Sequence, residues 1–186
     1  VSDRRIKYTK MVLKESLLKL MADKPINKIQ IKEICDLADV NRGTFYAHYN
    51  DQFDLLRQVQ DEFAAEVKTL QDKRQTKEMD TLEMITGLMS HLAEHRSLCK
   101  ILFVTSGDYE LINKLMNSAY DSFLDGWKQK LRNPSDRQLD MLYVFISNGS
   151  AAIIRNWVLN DMKETPQEVA QFILQATNYG SSSFVK

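Results

Sequence analysis

Cysteine is scarce in this chain of 186 residues, with only Cys35 and Cys99 present. Two thiols cannot build a disulfide scaffold, and such sparing use suits a reducing compartment. Glycine and proline are equally thin, at six and three, too few for the turns of an all-β sandwich or barrel. No uninterrupted apolar run approaches the roughly 18 residues of a membrane span, so none is predicted. The first ten residues are charged and no apolar stretch follows, which predicts no secretory signal. Net charge is missing too, since 25 Lys and Arg balance 25 Asp and Glu. The 44% apolar and 27% charged content excludes wholesale disorder. The length suits one large domain or two small ones. Together these features predict a cytoplasmic all-α protein.

What the chain does have is asymmetry. Residues 1–50 carry ten Lys and Arg against six Asp and Glu, a net of +4, and residues 51–186 carry fifteen against nineteen, a net of −4. A small basic head on a larger acidic body suits a polyanion-binding module joined to a regulatory or assembly module. An offset of four charges also arises by chance, so it needs motif support.

Apolar spacing is helical nearly everywhere. Ile6, Leu13, Leu17 and Leu20 mark a first helix that Pro25 ends. Ile31, Ile34, Cys35 and Ala38 form one face of a short second helix. A third short segment follows Val40-Asn41. Phe53, Leu56, Phe63, Val67 and Leu70 define a long fourth helix, with Asn50 or Asp51 as its N-cap and a polar end from Gln71. Further helices are predicted from Leu82 to Glu94, Leu98 to Val104 and Asp108 to about Leu131. Asn133-Pro134-Ser135 then breaks the chain. Ser135 with Gln138, and Thr165-Pro166 with Glu168, are capping boxes that open the last two helices.

The segment with chemistry is Ile31 to Leu56. Two short helices with Asp39 in the turn between them fit a helix-turn-helix. That turn position favours left-handed backbone, where glycine is ideal and aspartate tolerable. At 100° per residue, Phe45 and Tyr49 share the inner face of the second of these helices. Gly43, Thr44 and Ala47 face outward and are small enough to let a helix press into a major groove. Tyr46 and His48 flank that face, in reach of phosphates at the groove rims. Asn41 and Arg42, at the helix start, are the side chains suited to base edges. The starts of this helix and of the fourth, at Asn50-Asp51, offer backbone N–H groups to a phosphate.

The string from Ile31 to Leu56, and above all Val40-Asn-Arg-Gly-Thr-Phe-Tyr-Ala-His-Tyr49, resembles the DNA-binding domain of the tetracycline-repressor (TetR) family of bacterial transcription regulators. The resemblance covers roughly residues 5–65. It implies an all-α homodimer with a three-helix head and a C-terminal domain that dimerises and binds an effector. By that analogy Thr44, Tyr46 and His48 touch phosphates, while Asn41 and Arg42 lie at the groove. Three positions depart from the family pattern. Gln30 replaces the Thr or Ser that caps the second helix and meets phosphate, Asp39 replaces the turn glycine, and Gln52 replaces a lysine at the start of the fourth helix. Fewer phosphate charges weaken binding and flatten its salt dependence. Further on, Phe145 to Val158 and the final amphipathic helix are similar to one branch of the family's C-terminal domains.

The expected organisation is therefore a helix-turn-helix domain over 1–50, a linking helix over 51–72 and a helical effector-binding and dimerisation domain over 73–186. The helix before Asn160 is apolar on two faces. It is either a buried central helix of a monomer or, paired together with the last helix against their symmetry mates, part of a dimer's four-helix bundle with Ile146, Gly149, Ile153, Trp157, Phe172 and Ile173 at the interface. Met84, Met89, Phe103, Met116, Tyr120, Phe123 and Trp127, with Met79 and Tyr109 nearby, either line an apolar effector cavity or are ordinary core. His91, His95 and Cys99 recur every fourth residue, the spacing of metal ligands on one stripe. A helix end between Glu94 and Leu98 breaks that stripe, so no metal or cofactor is expected. No catalytic constellation stands out, and an enzyme is not expected. The expected partners are double-stranded operator DNA, a second copy of the chain and a small apolar effector, without a membrane. The expected function is that of a ligand-responsive repressor on a near-palindromic site. Its alternatives are a co-regulator with a protein partner and a dimeric interaction protein with a vestigial head.

Overall fold

The computed structural model describes residues 3–75, 81–105, 111, 115, 131 and 134–181. Helix α1 spans Asp3–Asp23. Leu13, Leu17 and Met21, spaced by four, are fully buried along one face, and Pro25 prevents the helix from continuing. A 3-10 turn, Ile26–Lys28, leads into α2 (Ile31–Ala38), which buries Ile34 and Cys35. Helix α3 is a five-residue rod, Arg42–Tyr46. Helix α4 runs from Gln52 to Gln75, past the polar end expected at Gln71. Its buried stripe is Leu55, Leu56, Val59, Phe63 and Val67, whereas Phe53 is 45% exposed. The apolar face is thus rotated from the expected one, because Leu55 and Val59 take the inner positions beside Leu56.

Helix α5 (Thr81–Glu94) is followed by α6 (Arg96–Lys100) and a π-helical turn, Ile101–Thr105. Helix α7 (Asp136–Leu159) and helix α8 (Pro166–Ser181) complete the described residues. Both open on the expected capping boxes. The Ser135 N–H donates to Gln138 Oε1 at 2.9 Å, and the Gln138 N–H donates to Ser135 Oγ at 3.3 Å. The Thr165 N–H donates to Glu168 Oε2 at 2.7 Å, and the Glu168 N–H donates to Thr165 Oγ1 at 3.2 Å. Each box satisfies two donors that a helix start would otherwise leave open.

Two left-handed residues, Asp161 and Met162, form the corner between α7 and α8, with φ of 61° and 46°. The Met162 N–H donates to the Trp157 carbonyl at 2.8 Å, and the Trp157 indole N–H donates to the Glu164 carbonyl at 2.9 Å. Arg96 donates to the Asp161 carbonyl at 2.6 Å, and Lys100 pairs with its carboxylate. The corner is therefore held from α6.

Helix α1 packs on α2, on α4 and on the π-helical turn. Helix α5 packs on α4 and α8, and α7 packs on α6, on the π-helical turn and on α8. One contiguous apolar core runs from Leu13 through Phe63 and Met89 to Ile173. Among the described residues no helix is long and apolar enough to cross a membrane.

Candidate nucleic-acid interface

The reading segment is assembled from short, strongly capped pieces. A five-residue helix has no stability of its own, so packing and caps must hold α3. Phe45 is fully buried and Tyr49 is 2% exposed, and their ring centroids lie 5.7 Å apart. They plug α3 into the core beside Ile34 and Cys35. Asp39 closes α2 in the left-handed conformation, with φ 53° and ψ 46°, and the Val40 N–H donates to the Cys35 carbonyl at 3.0 Å. The opposite face of α3 is open: Arg42, Gly43 and Ala47 are exposed, and Tyr46 is 57% exposed. Thr44 and His48 are half-buried at its flanks. No other part of the described chain walls off Gly43 or Ala47.

The structure gives Asn41 a definite local task. Its side-chain carbonyl accepts from the Thr44 N–H at 2.8 Å and from the Thr44 hydroxyl at 3.1 Å, which makes Asn41 the N-cap of α3. Oδ1 is committed to the protein, so only the amide nitrogen of Asn41 is left to face a base edge. Gly43 serves the same cap. A Cβ there would lie 3.2 Å from Asn41 Oδ1 and crowd it.

The helix starts are less available to phosphates than their sequence suggests. Asp51 caps α4 by accepting from the Asp54 N–H at 2.7 Å, and the Asp54 carboxylate accepts from the Asn50 N–H at 2.9 Å. Gln30 precedes α2 with its N–H already donated to Glu33 Oε2 at 2.9 Å. Glu33 also accepts from Lys24 at 2.5 Å. That lysine hydrogen bond, followed by the one from Gln30, holds the Glu33 carboxyl below its ordinary pKa. Gln30 is exposed and Gln52 half-buried. Neither supplies charge.

The other expected site residues fall in different places. Trp157 is 3% exposed and Ile173 6% exposed, so both belong to the chain's own core. Trp157 is turned inward by its bond to Glu164, and Ile173 by the packing of α8 on α5. Ile146 and Ile153 are half-buried, while Gly149 and Phe172 are exposed. Besides Phe172, the large apolar side chains exposed on the last two helices are Met141, Val144, Phe145, Leu159 and Tyr179. The ring of Phe145 lies against Gly180 of α8, where a Cβ would be 3.2 Å away. Met89 and Phe103 are buried and Met84 half-buried, whereas Met79, Tyr109, Met116, Tyr120, Phe123 and Trp127 lie outside the described residues. A groove of about 400 Å³ runs elsewhere, between α1, α4 and α6, with an apolar lining that includes Met11, Val59 and Phe63 and a mixed charged lining of Lys7, Lys10, Lys14, Glu15, Glu62 and Glu66. Met84, Met89 and Phe103 do not line it. Of the three residues at metal-ligand spacing, from which no metal was expected, Cys99 is buried, and its Sγ donates to the Leu92 carbonyl at 3.5 Å.

A helix-turn-helix head followed by a larger set of helices defines the fold class. Residues 80–179 match a TetR-type family model described as a transcriptional regulator C-terminal region. That match covers more than half of the chain, and the chain belongs to the TetR family of transcriptional regulators. It is 27% identical over 170 residues to YxbF, an uncharacterized HTH-type transcriptional regulator of Bacillus subtilis, a match that covers 86% of this chain. The chain spans 42% of the length of that curated relative. Its fold is similar to that of a TetR transcriptional regulator from Streptococcus agalactiae, with a TM-score of 0.74 at 19% identity over 94% of this chain and 96% of that one. The transcriptional regulator FadR of Bacillus subtilis, solved in complex with stearoyl-CoA, gives a TM-score of 0.70 at 17% identity over 90% of this chain and 96% of that one. These two likenesses concern the fold alone.

Proposed function

We propose that the chain is a sequence-specific DNA-binding repressor that acts as a homodimer on a near-palindromic operator and responds to a small effector. One observation carries this reading: α3 is locked by Phe45 and Tyr49 while Arg42, Gly43, Tyr46 and Ala47 stand exposed on one outward face. Residues 1–50 act as the reading head, 51–72 as the lever and 73–186 as the effector and dimerisation part. Gly43 and Ala47 let the rod approach the groove floor, and Arg42 reads a base edge. Gln30, Tyr46, His48 and Gln52 make phosphate contacts, with Asn41 holding the cap through the Thr44 N–H, and Thr44 joins them by turning its hydroxyl from Asn41 Oδ1 to a phosphate oxygen. Such a protein works where the chromosome lies, in the bacterial cytoplasm.

The dimer face is the exposed apolar surface of α7 and α8, built from Met141, Phe145, Gly149 and Phe172. A face of this kind suits an isologous bundle with its symmetry mate. The effector site involves Met84, Met89 and Phe103 together with Met116, Tyr120, Phe123 and Trp127. An effector shifts operator affinity only through its different affinity for the two head spacings.

The test is fluorescence anisotropy on DNA upstream of the protein's own gene at two salt concentrations. Arg42→Ala is expected to relax specificity at one base position at a cost of about 1–3 kcal/mol, and Tyr46→Phe to weaken all sites evenly. Uniform loss from Arg42→Ala overturns its base-reading role, and sequence-blind or absent binding overturns the repressor. Phe145→Glu is expected to give monomers in light scattering; an unchanged dimer would move the interface elsewhere.

A further inference from the structure

Away from α3, three potential metal ligands converge where α4 meets α5. Glu66 on α4, His91 on α5 and His95 just past the end of α5 each offer one ligand atom, all within 4.8 Å of one another. His91 Nε2 lies 3.9 Å from Glu66 Oε2, and the two imidazole centroids are 4.6 Å apart. Phe63 stacks on His91 at 5.8 Å and meets His95 edge-on at 6.1 Å. The His95 N–H donates to the His91 carbonyl at 3.2 Å, so helical register continues past Glu94 and keeps both rings on one face.

We infer that Glu66, His91 and His95 bind a divalent transition-metal ion of the zinc type, tying α4 to α5. Two imidazoles at i and i+4 with one carboxylate are the donors such borderline ions take. Magnesium and calcium prefer all-oxygen sites and are disfavoured. Bonds of about 2.0–2.1 Å need tetrahedral donors roughly 3.3–3.5 Å apart, so the three groups must close in by about 1 Å. Glu66 and His95 are exposed and have room to turn, while His91, half-buried against Phe63, is the fixed point. A fourth position is left for water. Cys99 takes no part, since its thiol is buried and directed at the Leu92 carbonyl.

An ion here would fasten the middle of α4, the helix that follows the reading head, to α5. That consequence for operator binding rests on the function proposed above, but the site itself does not. The experiment therefore uses no DNA. Cobalt(II) chloride is titrated into the untagged, metal-stripped chain, followed by visible absorption and calorimetry, and zinc(II) chloride is then added as competitor. One cobalt ion per chain is expected, with tetrahedral d–d bands that zinc abolishes. His91→Gln and His95→Gln are each expected to weaken binding at least about tenfold, beyond the low end of what losing an outer-shell partner costs. Glu66→Gln weakens it too, and Cys99→Ala leaves it unchanged. Absence of d–d bands overturns the proposal, as does a His91→Gln/His95→Gln double variant that binds cobalt as tightly as the parent. Glu66→Gln and His95→Gln alter exposed groups, and circular dichroism verifies that both variants remain folded.

Discussion

Asp39 combines a backbone cost with a charge cost, and two substitutions separate them. Its φ of 53° and ψ of 46° lie where an L-residue costs roughly 1–2 kcal/mol. Asp39→Gly removes that cost, while the greater freedom of glycine in the unfolded chain takes back about 0.5–1 kcal/mol. The net gain expected is about 0–1.5 kcal/mol. Asp39→Asn keeps a side chain that tolerates the left-handed region, so stability is expected to stay within about 0.5 kcal/mol. On operator DNA the two variants are expected to behave alike. A carboxylate about 10 Å from a phosphate costs about 0.4 kcal/mol in water before screening, so its removal raises affinity about twofold for each such phosphate at low salt. The gain fades as salt shortens the screening length to roughly 3 Å at 1 M. The slope of affinity against salt is expected to steepen slightly, by much less than the roughly one unit that a new phosphate contact would add. Urea melts followed by circular dichroism and anisotropy titrations over a salt series measure both quantities. If only the glycine variant binds more tightly, the charge argument is refuted. If glycine destabilises the chain by more than about 1 kcal/mol, the backbone argument fails.

Phe45→Ala is expected to cost about 3–5 kcal/mol in a urea melt and to abolish operator binding, since it empties the socket that holds α3. Tyr49→Phe is expected to be neutral or slightly stabilising in the same melt. Its hydroxyl is buried with no hydrogen-bond partner among the described residues. Both thiols are expected to resist a thiol reagent until the chain unfolds: burial pushes the Cys35 thiol above its ordinary pKa and the Cys99 thiol up to about 12. Rapid labelling of the native chain would contradict that burial. The hydrogen bond from Lys100, aided by its charge and by Arg96, holds the Asp161 carboxyl below its ordinary pKa. Its contribution to stability is therefore present above the ordinary carboxylate pKa of about 4 and is lost as pH falls through the lowered folded value. Asp161→Asn is expected to flatten the acid limb of a pH–stability curve, and an unchanged limb would show that the contact contributes nothing.

The head was largely legible from its sequence because its signals are local. Val40 to Tyr49 contains the apolar pair Phe45 and Tyr49 at one helical spacing, and the turn before it requires a backbone that aspartate adopts. The capping boxes at Ser135 and Thr165 were readable for the same reason: each is a contact between residues three apart. What depends on tertiary packing was harder to see. Trp157 sits on a helix that is apolar on two faces and Ile173 on the apolar face of the last helix; both look like interface residues in the sequence, and only the placement of α5 and of Glu164 determines which side faces inward. Asn41 carries the chemistry of a base reader and of a cap alike, and the backbone of α3 selects the cap. Glu66 gave no sequence signal, since it lies 25 positions before His91 and meets it only because α4 packs on α5.

The corner at Asp161 and Met162 makes the angle between the last two helices a property of a third party. Arg96 holds the backbone carbonyl and the carboxylate of Asp161, and Lys100 holds the carboxylate; neither residue belongs to α7 or α8. In the dimer proposed above, a lesion at Arg96 would therefore present as a pairing defect, although the arginine itself stands at a distance in sequence from every residue of the proposed α7–α8 face. Screens for weakened self-association should sequence α6 before assuming that each hit lies at the contact.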